Sequence, residues 1–88
     1  MNALPDPHRT TIAAVATPPG MGAVSLLRIS GPDSIRIADL ATDGKASSLL
    51  PRTTRYCQVM DSGGEVLDDG MLTIFRSPNS YTGEDCVE

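Results

Sequence analysis

The chain has 88 residues, with 7 Lys and Arg against 11 Asp and Glu and a formal net charge of −4. With 40% hydrophobic and 20% charged residues it reads as one globular domain with a single modest core, not as a disordered segment. An acidic balance with 3% aromatic residues excludes a basic, base-stacking nucleic-acid platform, and no apolar run approaches the ~20 residues of a membrane span.

Residues 1–9 hold two prolines, an acid and His8 but no apolar stretch of a signal peptide. They are expected to form a flexible leader, leaving 10–88 as the domain. Residues 10–17 (TTIAAVAT) predict a strand whose small apolar residues on both faces suit burial on both sides. Residues 18–22, with Pro18, Pro19, Gly20 and Gly22, predict a shaped loop that no sheet interior would hold. Glycines there would let backbone approach a ligand closely. The loop lacks the spacing and the lysine of a phosphate loop, so a rigid strand connection explains it as well.

Residues 23–30 (AVSLLRIS) predict a second strand, with Val24, Leu26, Arg28 and Ser30 on one face and Ser25, Leu27 and Ile29 on the other. Arg28 therefore stands among apolar neighbours, where a guanidinium is costly without a partner. Two readings follow. Arg28 pairs with an acid on a neighbouring strand, or it clamps an anionic or heterocyclic ligand.

Gly31, Pro32 and Asp33 open a helix, with Ser30 or Gly31 as its cap. Ile35, Ala38 and Ala41 form its apolar stripe, widened by Ile37 and Leu40, and Thr42, Asp43 and Gly44 stop it. Residues 45–53 form a polar connector containing Leu49, Leu50 and Pro51. A hairpin follows: a strand over 54–61, a turn over 61–65, and a strand over 66–76 interrupted near Asp68, Asp69 and Gly70 by a bulge or solvated bend. Residues 77–80 end it. Thr82 and Asp85 then read as a capping box, a hydroxyl three residues before a carboxylate, and 86–88 as the first residues of a new element. Paired acids in 79–85 could serve acid–base or metal chemistry, but a helix start explains the same letters more simply.

Cys57 and Cys86 form no C-x-x-C pair, and one histidine cannot complete a zinc site. They are expected to be reduced thiols of a cytoplasmic protein, Cys57 in the core and Cys86 with its pKa raised by adjacent acids. His8 lies in the leader, so a Ser-His-Asp triad is not expected. No catalytic residue or metal ligand is assigned. The element order predicts an α+β fold: one helix covers one face of a small mixed or antiparallel sheet, and the other face and an edge stay open.

Three stretches together resemble a known family. They are residues 11–20 (TIAAVATPPG), 27–32 (LRISGP) and 78–85 (PNSYTGED). In content, order and spacing they are similar to the N-terminal domain of the bacterial tRNA uridine-modification GTPases, the MnmE/TrmE family, and the hairpin residues 64–68 fit as well. The resemblance covers nearly all of the chain from Thr10 onward. It implies a fold like the folate-binding domain of glycine-cleavage aminomethyltransferases, here C-terminally incomplete. It implies binding of 5-formyl- or methylene-tetrahydrofolate, and homodimerisation. In full-length family proteins it further implies GTP hydrolysis with potassium and magnesium. There, with the flavoprotein MnmG, the family modifies C5 of the tRNA wobble uridine.

Carried over by residue, the resemblance puts the family's strand arginine on Arg28 and its pterin-side glutamate on Glu88. A carboxylate can accept two parallel hydrogen bonds from a pterin's 2-amino and ring N–H edge, and an arginine can hold a carbonyl edge or an anionic tail. Arg28 and Glu88 could also pair with each other without ligand. Met21 and Ala23 depart from the family's usual arginine and glycine. The GKS motif, the terminal cysteine motif and the domain's later His- and Gly-containing strand are not in this sequence. The segment alone is therefore expected neither to hydrolyse GTP nor to modify or bind tRNA, and to associate with no membrane. Two other readings stand beside this one: a non-catalytic segment for self-association or partner binding without folate, and a piece of an aminomethyltransferase-like enzyme.

Overall fold

The structure is a computed structural model that describes residues 10–18, 20, 22 and 24–88. The expected leader, and the departures at Met21 and Ala23, lie outside the described residues. Five strands and one helix follow in chain order: β1 (Ile12–Val15), β2 (Leu27–Ser30), α1 (Ser34–Thr42), β3 (Thr54–Met60), β4 (Val66–Phe75) and β5 (Cys86–Val87). The strands form one antiparallel sheet in the order β1-β2-β5-β4-β3. This is the expected α+β class, with the mixed alternative resolved to antiparallel.

Among the described residues the two hairpins, β1–β2 and β3–β4, are joined within the sheet by β5, which pairs with β2 on one side and β4 on the other. β5 overturns the second helix expected after residue 82. Thr82 spends its hydroxyl on Ser30 of β2 and Asp85 its carboxylate on the Ser77 N–H rather than on a helix start, and Cys86 and Val87 are buried as the middle strand. The interruption expected inside 66–76 also shifts. β4 runs unbroken through Asp68, Asp69 and Gly70, and the register slips between Val59 and Met60, leaving Leu67 as the extra residue of a bulge.

Helix α1 packs on one face. Its core partners are Cys57, Leu72, Ile74 and Val87 from the sheet, with Ala46 and Leu49 of the connector beside Ile35 and Ala38. The buried helix residues are Ser34, Ile35, Ala38 and Thr42. At 100° per residue Ile37 and Leu40 fall off that stripe. They are 37% and 73% exposed, so the wide stripe expected from sequence is narrower. Asp43 takes a left-handed conformation and Gly44 N–H donates to the Asp39 carbonyl, ending the helix where expected. Its start differs. Asp33 is the cap position and has no side-chain capping bond; its own N–H is satisfied by Thr11 Oγ1 at 2.9 Å.

β1 departs from expectation as well. All four residues are exposed because β1 is an outer strand with a neighbour on one side only. Small apolar residues fitted burial on both sides, but nothing in the described residues covers either face there. Gly31 brings β1 and the helix start together. Its φ is +136°, and a Cβ at this position would lie 2.5 Å from Thr11 Cα. Only glycine fits that crossing.

Candidate functional site

Pleat alternation sorts the sheet into two faces. Ile29, Val87 and Ile74 point to the helix, and the alternate residues point away. On the open face one row runs Ile12, Ser30, Cys86, Phe75. The next row runs Ala14, Arg28, Glu88, Thr73, Thr54, as the Ala14–Arg28 register, the paired Thr73–Glu88 backbone bonds and the Thr54–Thr73 hydroxyl contact fix it. Arg28 and Glu88, 60 positions apart, thus meet as cross-strand neighbours.

Arg28 Nε donates to Glu88 Oε2 at 2.7 Å, and Nη2 donates to the same oxygen. Both donors converge on one carboxylate oxygen, leaving Oε1 outside the pair. The side chains are 32% and 14% exposed, so the pair is partly dried but reachable. The bond to Glu88 pushes the Arg28 guanidinium above its ordinary pKa, outweighing desolvation, with attraction to Glu88 adding to it. Of the two readings for Arg28, the structure contains the ion pair with an acid on a neighbouring strand, made with the residue that the resemblance names.

The face expected to stay open is covered in part by the segment 77–85, under which Ser30 and Cys86 are buried. Ser30 Oγ meets Thr82 Oγ1 at 2.7 Å, and Gly31 N–H and Ser34 Oγ both donate to the Asp85 carbonyl at 2.9 Å. Ser77 N–H donates to Asp85 Oδ1 and Ser77 Oγ to the Gly83 carbonyl, closing the segment on itself. It carries Tyr81, whose ring centre is 4.8 Å from the Arg28 guanidinium carbon. Tyr81 also packs edge-on against Phe75, with centroids 5.5 Å apart. Reading the sequence for a helix cap missed Tyr81 as a site residue. An aromatic side chain within a run of turn formers was the available signal.

The two cysteines are free and buried on opposite faces of the sheet, Cys57 in the helix-side core and Cys86 under residues 77–85. Burial pushes both thiols up; nearby Arg55 and Lys45 oppose this at Cys57, and Arg28 opposes it at Cys86. The direction expected for Cys86 holds, but burial outweighs the acids as its cause. Among the described residues no group of three or more His, Cys, Asp or Glu could hold a metal ion, and no helix is long and apolar enough to cross a membrane. Asp68 and Asp69 are exposed strand residues; Asp69 accepts the Tyr56 hydroxyl.

Comparison with known proteins supplies the context for this geometry. The profile of the family described as GTP-binding protein TrmE N-terminus matches residues 11–88. The chain belongs to the TrmE N-terminal family. It is 47% identical over 81 residues, 92% of its length, to the tRNA modification GTPase MnmE of Psychrobacter sp. (strain PRwf-1), of which this is 17%. It is 46% identical over 78 residues to the MnmE of Legionella pneumophila (strain Corby), covering 89% of this chain and 17% of that protein. With Myxococcus xanthus MnmE the identity is 44% over 78 residues, 18% of that protein. This TrmE N-terminal chain therefore spans about a sixth of the length of the curated relatives it matches.

Proposed function

We propose that this chain is the N-terminal segment of a tRNA modification GTPase and that its Arg28–Glu88 pair belongs to a site for 5-formyl- or methylene-tetrahydrofolate. One observation carries the reading: a partly exposed arginine–carboxylate pair stands on the open face of the sheet, under an aromatic ring. The donor set fits a pterin. Glu88 already accepts two N–H donors on a single oxygen, and the 2-amino and ring N–H edge of a pterin presents a similar donor pair. On exchange, Glu88 holds that edge and Arg28 turns to the ring carbonyl or the anionic tail. The bound folate would supply the one-carbon unit; the residues here bind and orient it.

The wider role follows from the family. The whole protein would use GTP, with potassium and magnesium, and act with the flavoprotein MnmG on C5 of the wobble uridine. The same segment would mediate homodimerisation, a reading supported by the exposed Ile12 and Val15 of the outer strand β1. Isothermal titration of 5-formyltetrahydrofolate into the chain, with light scattering on the same sample, tests both. Saturable binding to a dimer is expected, weakened roughly tenfold or more by Arg28→Ala and by Glu88→Gln. A wild-type chain that stays folded and shows no saturable binding refutes the folate site. A folded monomer at high concentration refutes the dimer. A folded dimer without folate binding is the outcome for the alternative of pure self-association.

A further inference from the structure

The sequence reading gave Tyr81 no role, and the structure puts it against the proposed site. Residues on both sides of Tyr81 are tied down, Ser80 Oγ to the Glu84 carbonyl and Thr82 Oγ1 to Ser30 Oγ, yet the Tyr81 residue is 72% exposed. An aromatic ring that is anchored but left in solvent gains little from burial. Its neighbours are the Phe75 ring, inclined at 65° to it, and the Arg28 guanidinium. That guanidinium satisfies two conditions together: two N–H donors on Glu88, and a flat cationic group whose central carbon lies 4.8 Å over the Tyr81 ring.

From this geometry we propose that Tyr81 is the stacking wall of the ligand site. The Arg28 guanidinium acts as an internal stand-in for a flat, amino-bearing heterocycle. A ring that replaces it on Glu88 comes to lie against Tyr81, where the guanidinium now is. Tyr81 thereby favours ligands whose Glu88-binding edge belongs to a flat ring. Tyr56 does not supply such a wall, since its hydroxyl is committed to Asp69 on the β3–β4 hairpin. This inference rests on the folate reading above and adds a ligand-contacting residue to it.

The test is titration of 5-formyltetrahydrofolate into the wild-type chain, Tyr81→Phe and Tyr81→Leu, with a thermal melt of each. Phenylalanine keeps the ring face and loses only the hydroxyl. Affinity within about twofold of wild type is expected for Tyr81→Phe, and a loss of roughly three- to tenfold for Tyr81→Leu at an unchanged melting temperature. Unchanged affinity in Tyr81→Leu overturns the stacking role. So does an equal loss in Tyr81→Phe, which would assign the effect to the hydroxyl. If the wild type itself does not bind, the folate reading falls and the stacking role with it, so the two failures are read from different samples.

Discussion

Replacing Gly31 with alanine tests the closest crossing in the fold. The added Cβ would lie 2.5 Å from Thr11 Cα and 2.7 Å from both the Thr10 carbonyl oxygen and Thr11 Oγ1. Non-bonded carbons sit best at about 3.5–4.0 Å, so β1 must retreat by roughly 1 Å. Thr11 Oγ1 is also the acceptor for the Asp33 N–H at the start of α1, and the retreat breaks that bond. Backbone strain at φ +136°, forced overpacking and the lost hydrogen bond together give about 3–6 kcal/mol. A folded chain of 88 residues has a total stability of about 4–13 kcal/mol, so this change removes much of it. Gly64 is the internal control, because its φ is +84° but an added Cβ meets nothing within 4 Å. Gly64→Ala should cost only about 1–2 kcal/mol. Urea unfolding followed by far-ultraviolet circular dichroism measures all three chains. Equal losses in the two variants, or a Gly31→Ala chain within 1 kcal/mol of wild type, would refute the crossing.

Two further outcomes concern titration. Burial tends to raise the Asp39 carboxyl, but hydrogen bonds from the Ser47 side chain and from the Ser47 and Ala46 backbone outweigh it and hold the pKa below the ordinary value, the Ser47 N–H at 2.8 Å. A depressed folded pKa contributes stability above the unfolded value of about 3.9, and that contribution is lost as pH falls through the folded value. Asp39→Asn should therefore flatten the acid limb of stability against pH, measured by urea midpoints from pH 6 to 2; a parallel profile would contradict this. Both thiols are pushed up by burial, so native Cys57 and Cys86 should resist iodoacetamide at pH 8 and react in urea. Native alkylation at the rate of a free cysteine would show one of them to be accessible.

Much of the architecture was legible because it is local. Alternation over 23–30 put Arg28 and Ser30 on one face, and the turn signal at 61–65 located the β3–β4 hairpin. What failed was decided by distant chain. A two-residue strand has no period to read, so β5 was hidden behind letters that also spell a helix cap. The hydroxyl of Thr82 and the carboxylate of Asp85 suit either use, and only their neighbours Ser30 and Ser77 select between them. The outer position of β1 is likewise a property of the sheet order, not of Ile12–Val15 itself. In the site, Arg28 was identifiable as a costly cation in an apolar strand. Glu88 was identifiable only through resemblance, and Tyr81 needed the path of residues 77–85.

The place of β5 also orders events in time. Each hairpin closes over a short stretch and can form while the chain is still being made, at about 5–20 residues per second. Their union within the sheet needs Cys86 and Val87, because among the described residues no other strand pairs with both β2 and β4. Joining Arg28 to Glu88 closes a span of 60 positions, an entropic cost of roughly 4 kcal/mol before any contact repays it. The cation and the carboxylate thus become neighbours only where the middle strand is in place. A nascent chain holding both hairpins but not yet the middle strand has neither the pair nor the ring above it. The Arg28–Glu88 contact therefore reports closure of the sheet rather than the state of either hairpin.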